Sequence, residues 1–375
     1  MSNQVLYRKY RPQKFSDVSG QEHVVRTLLN ALGSDSVAHA YLFCGPKGSG
    51  KTTMARLLAK AVNCEDTNSV EPCNKCSSCK EIIEGRAVDL MEIDAASHRG
   101  IENIRELRDG IRFSPARMKY RIFILDEAHQ LTSGAANALL KILEEAPSHA
   151  IFILATTETH KMIPTIISRC QRFDFRKLTV SQMVERMKGI VKKEGVKADE
   201  EALKIIAASA GGSMRDGESL LSQVLSFVEE GEKIGKEEVK SILGVVEKQV
   251  ISSFIDPLLA GDAHGSLLVM NEIFSRGTDP EEFQQNIMHY LREMMVLKIL
   301  SGGVKNGPVY DILTTTLTEE EIENMRGQVE KIDEEMIREM IDVFLEAGRK
   351  VKYSPIPQLP LEVAVAGLAQ RFLEK

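Results

Sequence analysis

The chain has 375 residues, of which 43% are apolar and 27% charged, with a formal net charge of −6. That length exceeds one ordinary core and predicts two or three domains, and the composition excludes a disordered or fibrous chain. The opening MSNQVLYRKYRPQKF lacks the apolar stretch of a secretory signal, and no run approaches about 18 consecutive apolar residues, so a cytoplasmic, membrane-free protein with reduced thiols is expected.

Charge is uneven along the chain. Residues 1–60 hold nine Lys/Arg against three Asp/Glu, whereas residues 311–346 hold three against twelve. A polyanion is expected at the N-terminal part and proteins at the acidic end, although two solvated surfaces of opposite sign have the same composition.

In chain order, QEHVVRTLLNAL (21–32) predicts an amphipathic helix, HAYLFCG (39–45) a strand, and KTTMARLLAKAV (51–62) a helix entered through a glycine-rich turn. DLMEID (89–94), RIFILDE (121–127) and AIFILATT (150–157) are further strands. Their apolar runs do not alternate, which predicts parallel strands buried on both faces. Helical patterns at 101–109 and 135–145 separate them, giving a doubly wound α/β sheet. After RFDFRKL (172–178) the periodicity becomes helical. TVSQ (179–182) and TEEE (318–321) fit capping boxes, and DPEE (279–282) supplies an Asp N-cap followed by Pro. A boundary is expected near Gly244. The expected organisation is a nucleotide-binding domain at 1–178, a small helical domain at 179–243 and a larger all-helical domain at 244–375.

The segment GPKGSGKT (45–52) matches G-x-x-x-x-G-K-[ST] between a predicted strand and a predicted helix, the context that favours a phosphate loop over an ordinary tight turn. Gly45, Pro46, Lys47, Gly48, Ser49, Gly50, Lys51, Thr52 and Thr53 are therefore assigned to the nucleotide. The glycines let backbone N–H groups turn toward phosphates, and the helix N-terminus adds its positive dipole end. Lys51 is placed to reach the β- and γ-phosphates, and the Thr52 hydroxyl to ligate Mg²⁺. IFILDEAH (122–129) ends an apolar strand in two carboxylates: Asp126 for Mg²⁺, Glu127 for orienting or deprotonating the attacking water. LATTE (154–158) offers Thr156 or Thr157 to the γ-phosphate or the water; a plain strand end rich in β-branched residues looks the same.

Four of the six cysteines, Cys64, Cys73, Cys76 and Cys79, lie in NCEDTNSVEPCNKCSSCK (63–80). In a reducing compartment the C-x₈-C-x₂-C-x₂-C spacing supplies four thiolates for a closed tetrahedral Zn²⁺ site. An iron–sulfur cluster shares C-x₂-C-x₂-C but lacks here the C-x₃-C-P continuation, and disulfides require an oxidising setting. Cys44 and Cys170 sit outside the cluster and are expected to be non-ligands.

Taken together, the phosphate loop, DEAH, the TT pair, ISRC (167–170) and GGSMRD (211–216), in that order before a helical tail, resemble the clamp-loader branch of the AAA+ ATPases. LYRKYRPQKFSDVSGQEHV (6–24) looks like the segment that wraps the adenine in that branch. The cysteine insert after the phosphate-loop helix is similar to that of the gamma/tau family of bacterial DNA polymerase III subunits. The resemblance implies ATP, Mg²⁺ and a structural Zn²⁺ as cofactors, and hydrolysis used to load a sliding clamp onto primed DNA. It implies a hetero-oligomeric ring with other clamp-loader subunits, and it makes the domain beyond Gly244 the collar of that ring. It assigns Thr157 as the sensor-1 residue with Thr156 adjacent, Arg169 as a finger presented to a neighbour's ATP, and Arg215 as sensor 2 on the lid. It also points to DNA contact at AASHRGIENIRELRD (95–109), through Arg99 and Arg105, where a solvated basic helix face is the plain alternative. Lys141, one cation in the apolar helix NALLKILEEA (137–146), is either a lysine snorkelling from a partly buried face or a link between DNA arrival and Glu127. A DEAH-type helicase and a nucleotide-gated scaffold are the competing functions. The first needs a second RecA-like domain, and the second needs neither Glu127 nor Arg169. Because the phosphate loop lies outside residues 64–79, loss of Cys76 is expected to spare nucleotide binding.

Overall fold

The computed structural model describes residues 5–97, 100–111, 113–227, 233–243, 248–300 and 319–373. The chain packs as two compact units, Met1–Ile242 and Leu243–Lys375.

The first unit opens with a one-turn helix α1 (Leu6–Lys9), a 3₁₀ turn at Phe15–Asp17 and α2 (Glu22–Gly33). Strand β1 (Ala40–Cys44) then feeds the glycine loop and α3 (Lys51–Val62), followed by α4 (Ser77–Glu84). The remaining sheet elements are β2 (Leu90–Asp94), α5 (Ile101–Ile111), β3 (Arg121–Asp126), α6 (Ser133–Glu144), β4 (Ala150–Thr156), α7 (Pro164–Ile167) and β5 (Gln171–Asp174). The five strands are parallel in the order β2-β3-β4-β1-β5. Side chains alternate between the two faces. Tyr41, Phe43, Ile122, Ile124, Ile151 and Ile153 pack against α2 and α3, while Leu42, Phe123, Leu125, Phe152 and Leu154 pack against α5 and α6. This is the doubly wound α/β sheet that the apolar runs predict.

Two features of the sheet differ from the sequence expectation. β2 is an edge strand whose residues are exposed or half-buried, with Met91 open to solvent, so it is not buried on both faces as β1, β3 and β4 are. Conversely the start of RFDFRKL, read only as a boundary, lies in β5, which pairs with β1 from Tyr41↔Gln171 to Cys44↔Asp174. Its exposed Gln171, Arg172 and Asp174 conceal the strand signal; Phe173 alone is buried.

Beyond residue 178 the first unit continues as α8 (Val180–Glu194), α9 (Glu200–Ser209), α10 (Met214–Phe227) and α11 (Lys236–Leu243). Among the described residues the only sheet here is the two-residue pair β6 (Lys197–Ala198) and β7 (Lys233–Ile234). Both halves of the capping box at Thr179 and Gln182 are formed.

The second unit is all-helical: α12 (Lys248–Leu259), α13 (Ala263–Ser275), α14 (Pro280–Leu300), α15 (Glu319–Val329), α16 (Glu334–Val351) and α17 (Leu359–Leu373). Its core closes around Phe254, Phe283 and Phe344. Asp279 Oδ1 accepts from the amides of Glu281 and Glu282 at the start of α14, and Pro280 occupies the first helical position. Gly244 and Thr318 lie outside the described residues.

Candidate nucleotide site and thiol cluster

The C-terminal ends of β1, β3 and β4 meet on one edge of the sheet, the edge outside which ligands sit in open α/β folds. Gly45 N–H donates to Thr156 O at 3.1 Å, so the glycine loop begins in register with the end of β4. Gly48 has φ +72°, and a Cβ there would overlap Ser213 Oγ, so only glycine permits the loop to lie against the GGSMRD turn. Met214 N–H closes that contact on Gly48 O at 3.2 Å. Gly50, also left-handed, caps α3 and aims the first helical amides into a cleft.

The cleft has a volume of about 340 Å³. It is lined by Lys47–Thr53, Asp126 and Glu127, by Tyr7, Arg8, Arg11, Pro12 and Val18 of the N-terminal segment, and by Leu178, Arg186, Met214, Arg215 and Glu218. Lys51 is 5% exposed, and its Nζ donates to Gly45 O at 2.8 Å and Pro46 O at 2.9 Å. Burial pushes its pKa down, and the nearby carboxylates of Glu127 and Asp126 oppose this. Thr52 Oγ1 donates to Asp126 Oδ2 at 2.8 Å, bringing a hydroxyl and a carboxylate oxygen to one point on the floor. That donor set, two hard oxygens beside a phosphate site, fits Mg²⁺.

Glu127 adopts φ +48°, an unusual conformation for a non-glycine residue, at the turn that ends β3. Its Oε2 accepts from Thr157 Oγ1 at 2.8 Å and Thr157 N–H at 3.3 Å. Thr156 is turned away and fully buried, with its hydroxyl 3.0 Å from His129 Nδ1. The two threonines are therefore separated by function of position: Thr157 meets the carboxylate, Thr156 the histidine. His129 Nε2 in turn lies 3.2 Å from Glu158 Oε1.

Arg215 stands on α10 with its guanidinium 5.0 Å from the Tyr7 ring centroid, and it lowers the Tyr7 phenol pKa. Glu218, one helical turn on, is 6% exposed, and burial pushes its carboxyl up to about 7 against the opposing pull of Arg186 and Arg11. Tyr7, Arg8 and Arg11 lie in the segment 6–24 that the resemblance placed at the adenine, though none was singled out there. Arg186 and Glu218 carried no motif in the sequence, and Glu218 was visible only as the helical neighbour of Arg215.

Two expected site residues, Arg169 and Lys141, lie elsewhere. Arg169 is outside the cleft: Glu144 Oε1 lies 2.5 Å from its guanidinium, and Thr165 O accepts from it at 2.9 Å. The partner comes from the end of α6, twenty-five residues upstream, which local inspection could not reveal. Lys141 is exposed on α6, not held on a partly buried face. Arg99, and the side chain of Arg105, lie outside the described residues.

The sulfurs of Cys64, Cys73, Cys76 and Cys79 all lie within 4.8 Å of one another. A tetrahedron with Zn–S bonds of about 2.3 Å has edges of about 3.8 Å, so the four thiols fit one Zn²⁺ with small adjustments. The amides of Lys75 and Cys76 point at Cys73 Sγ at 3.4 and 3.3 Å and lower its pKa to about 6. Cys76 Sγ caps α4 by accepting from Cys79 N–H. Burial raises the Cys79 thiol. Cys44 and Cys170 are apart from the cluster, and burial raises both, Cys170 to about 12.

Comparison with known proteins finds three family models in tandem: "DNA polymerase III, delta subunit" over residues 20–179, "DNA polymerase III clamp loader subunit, ATPase lid domain" over 182–230, and "DNA polymerase III subunits gamma and tau domain III" over 234–372. The chain is 43% identical over 372 residues to DNA polymerase III subunit tau of Bacillus subtilis, covering 99% of this chain and 64% of that protein. To DNA polymerase III subunit gamma/tau of Mycobacterium bovis it is 37% identical over 365 residues, covering 97% and 62%. The chain thus spans a little under two thirds of the length of these relatives. Among solved structures, a single-residue variant of Thermotoga maritima RuvB superposes with a TM-score of 0.50 at 18% identity, covering 66% of this chain and 79% of that one, a likeness of fold. Among the described residues no helix is long and apolar enough to cross a membrane.

Proposed function

Because the chain belongs to the DNA polymerase III gamma/tau family of AAA+ clamp-loader subunits, we propose that it is an ATP-hydrolysing motor subunit that loads a sliding clamp onto primed DNA. The observation that carries the reading is convergence: Lys51, Thr52, Asp126, Glu127 and Arg215 line a single cleft. In this reading residues 1–178 form the nucleotide-binding domain, 179–243 its lid and 244–375 the collar of a hetero-oligomeric ring in the cytoplasm.

The phosphates sit on the amides of the glycine loop, with Lys51 moving from the Gly45 and Pro46 carbonyls onto the β- and γ-phosphates. The nucleoside lies against Tyr7, Pro12, Val18, Leu178 and Met214, the least polar part of the lining. Thr52 and Asp126 would hold Mg²⁺, which supplies charge neutralisation on the β- and γ-oxygens. Glu127 takes a proton from the attacking water, and the hydroxyl of Thr157, donating to its Oε2, orients the carboxylate for that role. Arg215 closes the lid on the phosphate side, while Arg169 serves the ATP of a neighbouring subunit. Cys64, Cys73, Cys76 and Cys79 would hold one structural Zn²⁺, with no open position for chemistry.

ATPase rates measured with and without clamp and primed DNA test the function. Stimulation by both together supports a loader; stimulation by single strands without clamp points to a helicase; no turnover leaves a scaffold. One equivalent of zinc in colourless protein supports the metal assignment, and absorbance in the visible from iron–sulfur charge transfer overturns it.

A further inference from the structure

The cysteine segment does more than close on itself. Glu71, two residues before Cys73, accepts through its two oxygens from Phe15 N–H at 2.8 Å and Ser16 N–H at 2.9 Å. Asn74, between Cys73 and Cys76, has φ +58° and accepts from Lys60 Nζ at 2.7 Å. Lys60 is 2% exposed and donates also to Gln13 O at 2.7 Å and Gln13 Oε1 at 2.8 Å. Residues 13–16 are thus tied to the thiol segment at two points, one of them through a buried ammonium on the same helix that begins at Lys51. The strap so held continues directly into the cleft wall, at Arg11 and Pro12 on one side and Asp17 and Val18 on the other.

We propose that the four-cysteine module is the brace of the nucleotide-binding strap: with its thiolates gathered on one metal ion it holds residues 13–18 against the cleft through Glu71 and Asn74, and without them nucleotide affinity falls. The physical reason is conformational. Without a metal nothing ties the four sulfurs together, and the amides of Cys73, Lys75 and Cys76 bond only to those sulfurs, so little keeps Asn74 in its left-handed conformation. When it opens, Phe15 and Ser16 lose their carboxylate acceptor and Lys60 loses one of three partners. A strap closed for only a fraction of the time lowers apparent affinity by that fraction. The expectation from sequence, that the module is separable because it lies outside the phosphate loop, overlooks these links.

The proposal rests on the cleft being the nucleotide site, so Lys51→Ala serves as the control. If Lys51→Ala binds MgADP like the unaltered chain, that reading fails independently of the brace. In the full chain, Glu71→Gln keeps the shape but turns an amide toward one of the two strap N–H groups, and Asn74→Gly keeps the backbone conformation while removing the acceptor. Both leave all four cysteines and every cleft residue in place. Titration calorimetry with MgADP should show affinity weakened about tenfold or more in each variant, in keeping with loss of one charge-assisted hydrogen bond. Amide hydrogen exchange at Phe15 and Ser16 should accelerate in Glu71→Gln, and chelation of zinc from the unaltered chain should produce both effects together. Unchanged MgADP affinity in both variants overturns the proposal, whatever their zinc content. So does weakened affinity with unchanged exchange at residues 13–18, since the effect would then bypass the strap.

Discussion

Replacement of Glu218 by Gln tests the electrostatics of the cleft wall. The carboxyl is 6% exposed on α10, with Arg186 Nε 3.8 Å from its Oε1 as its nearest cation. Arg186 does not depend on it, since its guanidinium also donates to Tyr10 O and Asp17 O. Burial raises the Glu218 pKa from its ordinary 4.5 to about 7. Between those values the native state binds more protons than the unfolded chain, so stability falls as pH rises through the window and the loss is complete above about pH 8. The interval corresponds to roughly 3 kcal/mol at about 1.4 kcal/mol per pH unit. Glu218→Gln, neutral at every pH, escapes that loss. At pH 8 it should be more stable than the unaltered chain by up to this amount, or about 6 °C and more at roughly 2–4 °C per kcal/mol for a unit of this size. Near pH 4.5 the two should melt together. The assay is scanning calorimetry of the full chain at pH 5, 6, 7 and 8, following the transition that MgADP shifts upward, which identifies the nucleotide-binding unit. Parallel pH profiles for the two proteins, or a less stable variant at pH 8, would refute the argument.

Glu127→Gln should keep ATP binding while losing turnover by a factor of about 10² or more, measured by phosphate release, because the amide preserves shape but accepts no proton. Lys51→Ala should lose binding itself. Arg169→Ala should leave the subunit's own ATP affinity and melting temperature nearly unchanged, since its pair with Glu144 is largely exposed and such pairs contribute about 0–1 kcal/mol. In the assembled complex the same variant should lose hydrolysis by about 10³, and mixing it with Lys51→Ala subunits should restore part of the rate; no recovery in assembled mixtures would place the arginine in cis. Lys141→Ala should reduce DNA stimulation of ATPase far more than the basal rate, and equal reduction of both would remove any link from Lys141 to Glu127.

Residues that act as a contiguous set were legible from the sequence. The glycine loop works through consecutive amides and the helix start that follows, so GPKGSGKT contained its own geometry. The thiol spacing likewise needs one turn at Cys73–Cys76 and one helix start at Cys76–Cys79, both local. The buried strands announced themselves because a strand covered on both faces leaves no polar positions. β5 and β2 misled for the same reason, their exposure being set by place in the sheet order rather than by composition. What tertiary structure decided were the pairings across long separations. Thr157 rather than Thr156 reaches Glu127 because the pleat of β4 sends successive side chains to opposite faces, and the register with β3 selects which face the carboxylate meets. Glu144 reaches Arg169 only after α6 and α7 pack on the same side of the sheet. Glu71 reaches Phe15 across 56 residues, because α3 carries the chain from the phosphate loop back toward the strap and the cysteines fold the segment onto it. No periodicity or motif encodes such a contact; it exists because two segments, each stable for its own reasons, end at the same place.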